Sequence, residues 1–154
     1  MSEQDSFNIV AIVLTTSSGK LILQQRDYGP LGAAHLRGKL GFFGGHGEPG
    51  EDPKAAIIRE IHEELELSLE PTVIELVGVY RKQLGVHGDN NFVNVFRYLK
   101  PVDPDVFVVH EGKDYKLLDR QNKEDLELTP FAKQLVDYEL GLSNELEDYR
   151  VKVK

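Results

Sequence analysis

The residues best placed to do chemistry lie in one stretch, Glu51-Asp52-Pro53-Lys54-Ala55-Ala56-Ile57-Ile58-Arg59-Glu60-Ile61-His62-Glu63-Glu64-Leu65. Asp52 suits a helix N-cap and Pro53 the first helical position, so the spacing predicts a helix running to about Leu65. At about 3.6 residues per turn, Glu60, Glu63 and Glu64 share one face. Ile58, Ile61 and Leu65 are predicted to face the core, and Ala56, one turn before Glu60, leaves the acidic face uncluttered. The plain alternative is a solvated acidic surface. A stabilised surface helix, however, follows Glu with Lys or Arg four residues later, whereas Glu60 and Glu64 form a like-charge pair costing roughly 0.2–0.5 kcal/mol. Only Arg59 is near enough in sequence to compensate. Converging carboxylates are better explained by a hard divalent cation, which prefers oxygen donors. The glycine-rich run Phe43-Gly44-Gly45-His46-Gly47-Glu48-Pro49-Gly50 permits a close backbone approach to a ligand.

Taken together, Gly45, Glu51, Arg59-Glu60, Ile61, Glu63-Glu64 and Leu67 resemble the box of the Nudix hydrolases. That box reads glycine, five residues, Glu, seven residues, Arg-Glu, an aliphatic, any residue, Glu-Glu, any residue, glycine and an aliphatic. The final glycine is Glu66 here, a departure at the helix C-terminus that leaves every presumed ligand in place. His46 and Gly47 stand where many relatives carry other residues, and Phe43 replaces a common proline.

The resemblance implies a magnesium-dependent enzyme, with manganese as a substitute, that cleaves a phosphoanhydride bond of a nucleoside diphosphate linked to another moiety. Nucleoside triphosphates, oxidised ones included, are the first expectation; nucleotide sugars and dinucleoside polyphosphates are alternatives, as is a Nudix-fold module that binds without cleaving. Retention of Glu51, Glu60, Glu63 and Glu64 favours the enzyme. Glu60 and Glu64 are implied as principal metal ligands, with Glu63 assisting and a carbonyl of Gly44 or Gly45 contributing. Arg59 would orient the glutamates, and Glu51 would brace the loop–helix junction. The general base would be Glu60 or a later acid, for which Glu111 in Val109-His110-Glu111-Gly112 is chosen. Arg26, Gly45 and Arg81 are the expected substrate contacts, with Tyr28, His35, Tyr80 and His87 as weaker candidates. Other motifs drop out: Gly32 to Lys39 has the wrong spacing for a phosphate-binding loop, and His62-Glu63-Glu64-Leu65 lacks the second histidine of a zinc-protease helix.

These residues need a scaffold. Phe7 to Leu14 and Leu21 to Arg26 read as paired strands around the turn Ser17-Ser18-Gly19-Lys20. Residues 27–41 read as loop. Thr72 to Tyr80, Asn91 to Leu99 and Val106 to Val109 read as further strands. Thr129-Pro130 opens a second helix, Phe131 to Leu140, stopped by Gly141. The expectation is one domain over residues 1–154, with a charged tail from Leu142 to Lys154, and a mixed α/β layered fold. The resemblance makes that fold a Nudix-type α/β/α sandwich. It also implies a homodimer, to which Tyr149–Lys154 would add a strand.

The 154 residues are 40% hydrophobic and 29% charged, as in a globular domain. No apolar run reaches the roughly 18–20 residues of a membrane span. The polar, acidic start and the absence of cysteine fit a cytoplasmic address and exclude disulfides and thiolate chemistry. A formal net charge of −8 opposes binding to nucleic acid but allows a small anionic substrate beside a cation.

Overall fold

The computed structural model describes residues 8–25, 39–82, 91–109 and 114–142, with the backbone alone at Asn8, Arg81, Lys82 and Asn91. In chain order the elements are β1 (Asn8–Thr15), β2 (Leu21–Gln25), β3 (Leu40–Gly41), β4 (Phe43–His46), α1 (Pro53–Leu65), β5 (Ile74–Lys82), β6 (Asn91–Tyr98), β7 (Asp114–Leu118) and α2 (Pro130–Glu139).

β1 organises the rest. Its side chains alternate between two apolar clusters: Val10, Ile12 and Leu14 join α1, whereas Ala11 and Val13 join α2. A strand covered on both faces reads as an unbroken apolar run, as this one does. Along one edge β1 pairs in parallel with β6, from Asn8 opposite Phe92 to Val13 opposite Arg97. Its other edge is shared. β4 pairs antiparallel with Ile9 to Ile12, and β2 pairs antiparallel with Leu14 and Thr15. β5 extends the sheet beyond β6, while β3 and β7 pair with β2. The result is a mixed sheet between two helices, the expected α/β/α sandwich. Among the described residues, no helix is long and apolar enough to cross a membrane.

Several expectations need correction. The strand expected from Val106 to Val109 is absent: Pro104–Val106 forms a 3-10 turn capped by the Asp103 side chain, which accepts from the Asp105 N–H at 2.9 Å. That cap and Pro104 outweigh the β-branched composition. The chain then crosses the end of α1, where the Val108 N–H donates to the Leu65 carbonyl at 3.0 Å. Thr72 also falls in a 3-10 turn, Pro71–Val73, so β5 starts at Ile74. Leu40–Gly41 and Phe43–His46 are strands hidden in sequence by their glycines, and β7 was not anticipated at all. Phe7, Arg26 and the tail beyond Leu142 lie outside the described residues.

α1 starts as its sequence dictates, with the Asp52 side chain accepting from the Ala55 N–H at 3.2 Å and Pro53 in the first turn. It buries Ala56, Ile57, Ile61 and Leu65; Ile58 is only partly buried, so Ile57 takes the place expected for it, and Ala56 belongs to the core. Complete burial of an isoleucine such as Ile57 or Ile61 contributes about 1.5–3 kcal/mol.

The helix ends at Glu66, whose backbone is left-handed (φ 52°, ψ 34°) and whose N–H donates to the His62 carbonyl at 2.9 Å. Among the described residues it is the only non-glycine with positive φ. A left-handed conformation costs an L-residue roughly 1–2 kcal/mol, and glycine returns part of that through its own larger entropy loss. Glu66→Gly should therefore raise unfolding free energy by about 0.5–1 kcal/mol in a denaturant titration. Unchanged or lowered stability would show that the Glu66 side chain offsets the strain.

Candidate active site

The two adjacent glycines of β4 are required for different reasons. A Cβ on Gly44 would lie 1.9 Å from the Val10 carbonyl oxygen of β1, so only glycine lets the two strands approach. A Cβ on Gly45 would lie 2.3 Å from the carboxyl carbon of Glu60. Gly45 thus leaves the space that the Glu60 carboxylate fills, and there that side chain is only 13% exposed.

Arg59 ties this carboxylate to its surroundings. Its Nε donates to Glu51 Oε2 and its Nη2 to Glu51 Oε1, both at 2.9 Å, in the parallel geometry that makes Arg–carboxylate pairs strong. Nη2 also donates to the His46 carbonyl at 3.1 Å. Nη1 donates to Glu60 Oε1 at 3.2 Å and to both Glu63 oxygens at 3.2 Å. Glu51 Oε1 accepts in addition from the Glu48 N–H at 2.9 Å. One guanidinium therefore joins the end of β4, the loop before α1 and two glutamates of the helix.

The electrostatics follow from these contacts. The Arg59 hydrogen bonds, followed by that of the Glu48 N–H, hold the Glu51 carboxyl down to about 2. A depressed carboxyl stabilises the fold above its unfolded value of about 4.3, and that contribution is lost as pH falls through the folded value. Arg59 is raised, chiefly by its bonds to Glu51. Glu60 moves the other way. Burial pushes its carboxyl up, Arg59 opposes this, and repulsion from Glu63 and Glu64 adds to the rise. Even with Arg59 alongside, burial keeps the net shift upward.

Glu64 turns to a different partner. The Gln24 side-chain amide of β2 lies 3.5 Å from Glu64 Oε2. Glu60 and Glu63 thus share Arg59, while Glu64 also reaches the amide of β2. Among the described residues no three acidic or histidine side chains form a ready-made cluster. Arg26 and Glu111 lie outside the described residues, as do Tyr28, His35 and His87, and Arg81 is described by its backbone within β5. Tyr80 is a core residue, 3% exposed, with its ring 6.2 Å from that of Phe131 on the α2 side of the sheet. Gln24 was missed in the sequence, although a polar residue ending the apolar run Leu21-Ile22-Leu23 was a readable signal.

A NUDIX domain family model matches residues 6–138. The chain therefore belongs to the Nudix family. Solved structures share its fold. A MutT protein from Methanosarcina mazei Go1 is 20% identical, with 94% of this chain and 99% of that one covered and a TM-score of 0.70. The Escherichia coli dihydroneopterin triphosphate pyrophosphohydrolase is 17% identical over 88% and 96%, with a TM-score of 0.68. A Nudix hydrolase from Nitrosomonas europaea is 25% identical over 96% and 97%, with a TM-score of 0.63. No curated protein matches the chain by sequence.

The glycine pair yields a contrast that can be measured. Gly44→Ala drives a methyl into the β1 backbone and should destabilise the protein by several kcal/mol, on the order of other severe core disruptions. Gly45→Ala meets a side chain that can move. It should retain the fold while displacing Glu60, cutting turnover about a hundredfold or more, since misplacement by about 1 Å costs that much. Equal turnover in Gly45→Ala and wild type would remove the Glu60 seat from the active site.

Proposed function

We propose that the chain hydrolyses the phosphoanhydride bond of a small nucleotide-like substrate, with nucleoside triphosphates, oxidised ones included, as the first choice. Magnesium is the proposed cofactor, and manganese its substitute. The observation that carries this reading is the Glu60 carboxylate, partly buried over Gly45 within a matched Nudix box and bonded to Arg59. A triphosphate also appears in the name of one enzyme of similar fold, that of Escherichia coli.

The donor set fits a hard divalent cation: carboxylate oxygens, no sulfur, and more negative charge than Arg59 balances. Glu60, Glu63 and Glu64 would hold the ion, with a backbone carbonyl of Gly44 or Gly45. When bound, it supplies positive charge at the polyphosphate oxygens and makes nearby water more acidic. The remaining work falls to this chain's own groups. Arg59 keeps Glu60 and Glu63 in place, and Glu51 anchors Arg59 to the loop. Arg26 and Arg81 bind phosphate, and Gly45 seats the Glu60 carboxylate.

In the reaction a water oxygen bonds to phosphorus, the anhydride P–O bond breaks, and the water proton passes to a carboxylate. We assign that proton to Glu111, with Glu60 as the alternative.

Incubation with a panel of nucleotides, followed by chromatographic identification of products, tests the activity and the substrate together. Glu64→Gln should lower turnover at least about a hundredfold, or roughly 2.7 kcal/mol of transition-state stabilisation. Glu111→Gln should lower it by roughly 10²–10⁴-fold. A folded Glu111→Gln of normal rate beside an inactive Glu60→Gln would move the base to Glu60. Tight nucleotide binding without magnesium-dependent cleavage would make the chain a binding module.

A further inference from the structure

Gly50 is a glycine for a different reason from Gly44 and Gly45. A Cβ added to it would meet nothing within 4 Å, so no close approach requires its bare backbone. Its conformation does: φ is +79°, in the left-handed region that L side chains rarely adopt. Glu48-Pro49-Gly50-Glu51 is a four-residue turn in which the Glu51 N–H donates to the Glu48 carbonyl at 2.9 Å. Proline at the second position and a left-handed glycine at the third fit a type II turn. An ordinary surface turn stops at that backbone bond. This one is closed a second time, because the Glu48 N–H donates to Glu51 Oε1 at 2.9 Å. The carboxylate of the last residue thus folds back onto the first, and the same carboxylate accepts from Nε and Nη2 of Arg59.

We propose that Gly50 is a positioning residue of the active site, whose left-handed backbone aims Glu51 at Arg59 and so governs how Arg59 meets Glu60 and Glu63. Glu51 takes Nε and Nη2 and offsets much of the guanidinium charge, which leaves Nη1 to be divided between Glu60 and Glu63. Held in this way, Arg59 orients the two glutamates without fully neutralising them. Released from Glu51, the guanidinium is free to pair more completely with both, and it then competes with a cation for their oxygens. The consequence for the metal rests on Glu60 and Glu63 being ligands; the hold of Gly50 on Glu51 does not.

The test uses the full chain without substrate. Gly50→Ala strains the turn and removes no contact, and Gly50→Asn is its rescue, since asparagine enters the left-handed region several-fold more readily than most L-residues. The Glu51 carboxyl is followed by carbon NMR in chelator. In wild type, where it is held down to about 2, it should stay ionised to about pH 3. In Gly50→Ala it should titrate closer to the ordinary value of about 4.3, and in Gly50→Asn it should move back toward wild type. Manganese binding is read from the free ion by electron paramagnetic resonance. Gly50→Ala should weaken it by about tenfold, the lower end of what loss of an outer-shell partner costs, and Gly50→Asn should recover most of the loss. The melting temperature of Gly50→Ala in chelator should fall by only about 2–4 °C. In a Glu51→Gln background Gly50→Ala should change manganese affinity less than about twofold, because the turn acts through that carboxylate. A Gly50→Ala protein whose Glu51 titrates as in wild type overturns the inference, as does an equal loss of manganese affinity with and without the Glu51 carboxylate. If wild type binds no manganese while Glu51 is still released in Gly50→Ala, the metal reading of Glu60 and Glu63 falls and the hold of Gly50 on Glu51 stands.

Discussion

Arg59 makes two parallel 2.9 Å bonds to Glu51 and uses its remaining nitrogen for Glu60 and Glu63. Much of the site's geometry depends on this one guanidinium. Glu51 belongs to the loop that precedes α1, His46 to the end of β4, and Glu60 and Glu63 to the helix itself. Bonds from Arg59 reach all of them, so the loop, the strand and the helix are held in register where catalysis is proposed. The low value of the Glu51 carboxyl and the raised value of Arg59 are two sides of the same pairing. The pair is partly exposed, so its importance lies in geometry and specificity more than in net stability.

Steric constraints complete what the charge network starts. Gly44 allows β4 to lie against β1, and Gly45 allows the Glu60 carboxylate to lie against β4. Burial there disfavours the ionised form of Glu60, and the neighbouring glutamates add repulsion. A folded chain that keeps a poorly solvated carboxylate bears a cost that core packing offsets through Ile57, Ile61 and Leu65 on the opposite side of the same helix. Such strain is expected where function, rather than stability, sets the residue.

Much of this was legible in the sequence because it is local. The cap at Asp52, the first-turn Pro53 and the i, i+3, i+4 spacing of the glutamates are properties of one helix, and the helix forms as they dictate. β1 was readable because burial on both faces leaves an unbroken apolar run. Non-local features were not readable. β3 and β4 are short and glycine-containing, so their strand character comes from pairing with β2 and β1 and not from propensity. The Val106 to Val109 run looked like a strand by composition, but Asp103 and Pro104 impose a turn there. The division of the glutamates was equally hidden, since helical periodicity says nothing of a β2 amide brought to Glu64 by the fold. Gln24 lies forty positions away in sequence.

The central claim is that Glu60 and Glu64 are held against their mutual repulsion so that a divalent cation can relieve it. Thermal melts in magnesium chloride and in sodium chloride at matched ionic strength test this most directly, because they involve no substrate. For wild type, a ligand that binds only the folded state adds about 2.7 kcal/mol at a hundredfold excess over its dissociation constant, so magnesium should raise the melting temperature beyond the sodium control. Glu60→Gln/Glu64→Gln should melt higher than wild type without metal and show no magnesium-specific gain. Identical responses of the two proteins to magnesium would contradict the account and leave the glutamates as an ordinary solvated face.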